Sequence, residues 1–172
     1  MKYLLCLAAV LFFALPLAAQ TDPSRPSFSE YAMDGSKIDT EKLRGKIVVI
    51  NLWFINCPNC VEEIKLLNTL VDEYKNNKDV VFLGLAASKK TELQKFLTKN
   101  PFKYQVIPDA TMVILTKFGT PDKSGQINVP FPMHFVLDRT GKIVMKEQGI
   151  KGVEKVRNEL KKQIAQSSAG SR

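Results

Sequence analysis

The chain has 172 residues, 45% hydrophobic and 24% charged, which is the composition of one globular domain and excludes a disordered or collagen-like chain. Three cysteines are too few for a disulfide scaffold, and a single histidine leaves too few ligands for a Cys/His zinc cage. The net charge of +8 is spread over lysines that often stand beside acidic residues, with no dense basic block interleaved with aromatics, so nucleic acid is not expected as a partner.

Lys2 is followed by an apolar run from Tyr3 to Ala19, interrupted only by Pro16. That is short for a membrane span, which needs about 20 residues. One basic residue, an apolar stretch and the small residues at Ala18-Ala19 fit a secretory signal over residues 1–20, cleaved after Ala19 or Gln20. The competing reading is an uncleaved anchor. Cys6 sits early in the run, which argues against a lipoprotein anchor, and it leaves with the signal. The mature protein is then expected to be exported, to a periplasmic space, with net charge +7 after loss of Lys2 and with Cys57 and Cys60 as its cysteines. An oxidising compartment permits a disulfide between them.

Residues 21–27 are polar with Pro23 and Pro26 and read as a linker into a domain spanning 28–166. Phe28–Met33 and Ser36–Ile38, separated by Asp34-Gly35, predict a short hairpin. Lys46–Phe54 is an almost continuous run of β-branched and aromatic residues, the pattern of a strand buried on both faces. Val61, Ile64, Leu67, Leu70, Val71 and Tyr74 recur at helical spacing over 61–74. Val80–Ala86 predicts a second buried strand, and Thr91–Lys99 a helix stopped by Asn100-Pro101. A short strand over 102–107, a helix over 110–118, a polar loop over 120–128 and a hairpin of 133–137 with 142–147 follow. A final helix is expected over 153–166, and residues 167–172 as a frayed tail. Strands alternating with helices and closing on a hairpin predict a three-layer α/β/α sandwich with a central mixed sheet.

Chemistry concentrates at the first strand-to-helix turn, Trp53-Phe54-Ile55-Asn56-Cys57-Pro58-Asn59-Cys60. Cys57 falls where the buried strand ends and the helix begins. Unpaired N–H groups and the positive end of the helix dipole favour a thiolate there. Pro58 suits the first helical turn, where its missing N–H costs little. Cys60 is one turn on, within disulfide reach. Cys57 can therefore attack a substrate disulfide and Cys60 can resolve the mixed disulfide. A purely structural bridge closes so small a loop that it gains little from chain entropy, and a metal site lacks further ligands, so no metal is expected. The dithiol is itself the redox centre and no cofactor is implied. Glu63 is one turn beyond Cys60 on the same helical face and can relay a proton to or from it. The plainer reading is a first-turn acid beside the dipole, a role Glu62 fills as well.

WFINCPNC (53–60), CVEE (60–63), PMHFVLDRTGKIV (132–144) and the Leu43-Arg44-Gly45-Lys46 lead into the strand resemble the thioredoxin superfamily, and within it the exported TlpA/ResA-like thiol-disulfide oxidoreductases. The resemblance spans roughly 28–164. It implies a thioredoxin-like fold with an added N-terminal β-hairpin, a cis-proline at Pro132 that stands against the dithiol and helps bind substrate, an acidic active-site residue at Glu63, and an aromatic at Trp53 packed beside the cysteines. Pro130 competes for the cis position, but Met133–Asp138 fits the motif after Pro132. The substrate-binding set is then Pro132, Phe131, Trp53, Pro58 and Asn59. Expected partners are disulfide-containing proteins such as apocytochromes, in cytochrome c biogenesis, and a membrane electron donor.

Several positions depart from the pattern. Asn51 stands where many thioredoxins have a buried Asp below the dithiol, which moves weight to Glu63. Lys65 replaces a helix-kinking Pro, and Pro58-Asn59 is neither the Gly-Pro of common thioredoxins nor the Pro-His of strong oxidants. His134, two residues past Pro132, either approaches the dithiol or simply faces a neighbouring strand. The leading expectation is a protein-disulfide reductase. A disulfide oxidant or isomerase, a copper carrier and a non-catalytic binding module are the alternatives. The copper carrier wants three residues between its cysteines, and this chain has two.

Overall fold

The computed structural model describes residues 22–169, with side chains to residue 166. The expected export signal, Cys6 within it and residues 170–172 lie outside the described residues. In chain order the elements are β1 (Ser29–Tyr31), β2 (Lys37–Asp39), a 3-10 turn at Thr40–Leu43, β3 (Ile47–Trp53) and α1 (Pro58–Tyr74). Next come β4 (Val80–Ala86), α2 (Lys90–Lys99), β5 (Gln105–Ile107) and α3 (Thr111–Phe118). The chain ends with β6 (Thr120–Pro121), β7 (Ile127–Asn128), β8 (Met133–Leu137), β9 (Ile143–Gln148) and α4 (Gly152–Ala169).

Every residue of β3 is buried, as its unbroken apolar run predicts. It is the middle strand of a five-stranded sheet ordered β5-β4-β3-β8-β9. β3, β4 and β5 run parallel, while β8 and β9 are antiparallel to their neighbours. β1 and β2 form the separate N-terminal hairpin. Successive side chains on β3 point to opposite faces. Val48, Ile50 and Leu52 meet Ile114 and Phe118 of α3 and Phe28 beside the hairpin. Ile47 and Val49 meet Leu67 and Leu70 of α1 and Val153, Val156 and Leu160 of α4. Asn51 and Trp53 share this second face. Arg157 of α4 grips the Glu73 carboxylate of α1 with two hydrogen bonds of 2.9 Å, tying the two helices of that layer together.

α1 begins at Pro58 with Cys57 as its N-cap, as expected of the strand-to-helix junction, and its apolar stripe follows from Val61. The main differences from expectation are four. β5 starts only at Gln105, because Asn68 of α1 captures the preceding backbone: its Nδ2 donates to Pro101 O at 2.8 Å and its Oδ1 accepts from Lys103 N at 2.9 Å. The expected polar loop contains the β6–β7 pair, whose turn is organised by the Asp122 carboxylate accepting from Ser124 and Gln126. Strands of two residues are too short to leave a periodic signal. The expected linker is tied to the sheet: Ser24 O accepts from Ile143 N at 2.8 Å, and Pro26 is buried. The last helix runs through Ala169, so the first three residues of the expected frayed tail are helical.

Ile50 lies at the centre of the sheet with no exposed surface. Ile50→Ala is expected to lower unfolding free energy by about 2–5 kcal/mol, read as a lower urea midpoint with an unchanged slope.

Candidate active site

The segment between β3 and α1 is held against the end of β4. Ala87 N donates to Trp53 O at 2.9 Å, and the buried Ser88 Oγ accepts from Ile55 N at 3.1 Å. This delivers Cys57, in extended backbone, to the N-cap of α1 with Pro58 in the first turn. The Cys57 sulfur accepts a hydrogen bond from Cys60 N at 3.2 Å, taking one of the N–H groups that a helix start leaves unpaired. The same donor and the helix dipole act on a thiolate at this atom. Cys57 and Cys60 are joined by a disulfide with their Cα atoms 5.2 Å apart. Cys57 is 7% exposed and Cys60 1%, so an incoming sulfur reaches Cys57 first. Pro58 and Asn59, between them, are exposed.

Trp53 is fully buried, stacked on Phe102 at 4.6 Å and tilted against Phe96 at 5.6 Å, in one cluster with both cysteines. It packs beside the dithiol as expected, but it has no surface to offer a substrate and so leaves the expected substrate-binding set. Phe131 is half-buried, packs on the cysteine cluster and meets the edge of Phe54 at 5.2 Å. The Phe131–Pro132 peptide is cis, so the choice of Pro132 over Pro130 holds. Pro132 directly precedes Met133, the partner of Leu52, and therefore stands level with Trp53 where β3 turns toward Cys57.

Beneath the dithiol lies a buried polar group in an otherwise apolar layer. Glu63, one turn after Cys60 and about 4.5 Å further along the helix axis, has no exposed surface. Its Oε1 accepts from Asn51 Nδ2 at 2.9 Å, and its Oε2 lies 3.2 Å from His134 Nε2, also fully buried. The Tyr104 hydroxyl makes a weak 3.5 Å contact with Asn51 Oδ1. Tyr104 is half-buried as a residue, yet its hydroxyl is desolvated. Burial first, and then the Glu63 charge, raise its pKa well above the ordinary value, so it stays a neutral donor. One register line assembles the group: His134 of β8 pairs with Asn51 of β3, and Asn51 with Gly84 of β4. Gly84 supplies the space, since a Cβ there would meet Tyr104 Cε2 at 3.1 Å and Trp53 Nε1 at 3.2 Å.

Glu63 is fully buried and the first turn of α1 carries no acidic residue, so neither Glu63 nor the exposed Glu62 takes the expected place beside the dipole. His134 does not serve the dithiol directly; it bonds Glu63. Ser88, Gly84 and Tyr104 were not singled out from sequence. An alanine-serine pair after a strand, a glycine within one and a lone tyrosine carry no local mark of a role that depends on chain segments far away.

Among solved structures, the thiol:disulfide interchange protein of the thioredoxin family from Chlorobium tepidum shares this fold with a TM-score of 0.61 at 22% identity, over 72% of this chain and 83% of that one. StoA from Bacillus subtilis shares it with a TM-score of 0.64 at 16% identity, over 79% and 98%. A two-cysteine disulfide heading a helix in this thioredoxin-like sandwich defines a thiol-disulfide oxidoreductase. The chain belongs to the redoxin family, whose model matches residues 19–164. It is 29% identical over 152 residues to the thiol-disulfide oxidoreductase ResA of Bacillus anthracis, covering 88% of this chain and 83% of that protein. It is also 29% identical over 119 residues to the soluble secreted antigen MPT53 of Mycobacterium bovis, covering 67% and 66%.

The unequal burial of the two sulfurs sets an order of reaction. After reduction, limiting iodoacetamide is expected to label Cys57 first and Cys60 only after denaturation, as read by peptide mapping. Equal labelling in the native state contradicts the order.

Proposed function

We propose that this protein is an exported protein-disulfide reductase. The observation that carries the reading is the disulfide-bonded Cys57–Cys60 pair at the N-cap of α1, with Cys57 slightly exposed and Cys60 sealed. The Cys57 thiolate attacks a substrate disulfide, forming a mixed disulfide and releasing the first substrate sulfur. Cys60 then attacks Cys57, the Cys57–Cys60 bond forms, and the second substrate sulfur leaves. The substrate gains two electrons and the dithiol loses two. Glu63, buried one turn below Cys60, takes the proton that Cys60 must lose to become a nucleophile. Phe131, packed on the cysteine cluster, and the exposed Pro58 and Asn59 beside Cys57 bind the substrate chain, with the buried Pro132 directly behind Phe131.

Direction is assigned from the dipeptide. Pro58-Asn59 lacks the histidine that strong oxidants carry next to their second cysteine. Export is supported by the apolar run at 3–19 and by likeness to a protein whose name describes it as secreted. Among the described residues no helix is long and apolar enough to cross a membrane. Substrates are disulfide-containing proteins, apocytochromes among them, and a membrane donor returns the dithiol to its reduced form.

Equilibration of the Cys57–Cys60 couple in glutathione and dithiothreitol buffers tests the reading. A potential near or below about −250 mV is expected, the range of thioredoxin. A value near about −120 mV overturns the reductase direction. Absence of a reversible couple overturns the redox function itself. In a mixing experiment with an oxidised protein substrate, Cys60→Ser is expected to accumulate the mixed disulfide, and Cys57→Ser to form none.

A further inference from the structure

His134 sits where it touches neither sulfur, yet it is fully buried and spends its one polar contact on Glu63. Its protonation pattern follows from its surroundings. Nδ1 is buried and has no hydrogen-bond partner among the described residues. If Glu63 were the donor, into Nε2, the proton of a neutral ring would stand on Nδ1 as an unpaired buried N–H, the more costly arrangement. With Nε2–H donating to Glu63, the orphaned Nδ1 of a neutral ring is only a bare lone pair, the less costly arrangement. On the other side of the ring lies Gly152, the first residue of α4, so close that a Cβ there would meet His134 Cδ2 at 2.6 Å.

The other groups facing the ring agree. Asn51 on β3 donates to the second carboxylate oxygen. Glu147, in register with His134 on β9, is committed to Lys155 of α4 at 2.8 Å. Tyr104 reaches only Asn51. Both Glu63 oxygens therefore receive donors, and nothing in the pocket takes a proton from it.

We propose that His134 is a positioning residue for the resolving half of the reaction: its Nε2–H, with Asn51 on the other oxygen, holds the Glu63 carboxylate as the acceptor for the Cys60 proton. The proposal rests on the exchange mechanism given above. In the step concerned, the Cys60 S–H proton passes to Glu63 and the Cys60 sulfur attacks Cys57. The Cys57–Cys60 bond forms as the Cys57–substrate bond breaks, and the departing thiolate is protonated. Loss of the His134 donor leaves one oxygen of the buried carboxylate unheld, so the group no longer keeps the orientation in which it meets the Cys60 proton. The first attack, made by Cys57 at the head of α1, does not use this carboxylate.

Stopped-flow reaction of the reduced full-length protein with 5,5′-dithiobis(2-nitrobenzoate) separates the two halves. The first thionitrobenzoate is released as Cys57 attacks, the second as Cys60 resolves. In His134→Leu the second phase is expected to slow about tenfold at neutral pH, the size of a lost hydrogen bond to a charged group, with the first phase unchanged. His134→Gln, which can still donate an N–H, is expected to recover part of the rate. Gly152→Ala pushes the ring from the opposite side and is expected to slow the same phase, which keeps the test open if His134→Leu fails to fold. An unchanged second phase overturns the proposal. So does a parallel loss in both phases that tracks a lowered Tm. Failure of the wild-type protein to release any thionitrobenzoate overturns the exchange mechanism itself, and is thereby distinguished from failure of the role of His134.

Discussion

The structure turns on a strand that is buried on both faces. Because β3 exposes nothing, each side of the sheet has to be covered, by α1 and α4 on one face and by α3 with the N-terminal hairpin on the other. The exit of that strand is then the place where the chain emerges from the core with a fixed direction. Cys57 is delivered there, at the head of α1, with its sulfur already accepting an N–H. The reactivity of the dithiol is thus a product of how the core is closed. The sulfur that meets the partner and the sulfur that resolves it differ by the single helical turn that takes Cys60 inward.

The same constraint creates a problem that the polar row solves. α1 carries Glu63 into the layer that covers β3, and a carboxylate there gives up its water. Asn51 and His134 on adjacent strands replace that water with directed donors, and Gly84 of β4 opens room for the Trp53 ring from β3 and the Tyr104 ring from just before β5. The Asn51 amide on the strand serves a carboxyl group carried by the helix, one turn from Cys60.

Much of this was legible in the sequence. The unbroken run of Ile47–Trp53 could be read as a doubly covered strand because burial on both faces erases polar alternation. The Cys57–Cys60 spacing at a strand-to-helix junction has few uses other than exchange. The segment after Pro132 picked out the cis-proline position ahead of Pro130. Short-range signals failed where long-range contacts decided. Asn68 draws 101–103 away from the sheet, Asp122 folds a turn into a strand pair too short to show a period, and Trp53, expected at a substrate surface, is sealed in by Phe96 and Phe102.

What the sequence by itself determined is therefore the local chemistry: a reachable thiol at a helix start, its partner one turn on and an acid one turn further, since helical periodicity alone puts these on one face. What only the tertiary structure decided is the set of partners that acid meets. Glu63 meets residues 12 and 71 positions away, brought together by the register in which β8 lies against β3. A shift of one residue in that pairing would turn His134 to the opposite face, and no local pattern in the chain encodes which face it takes.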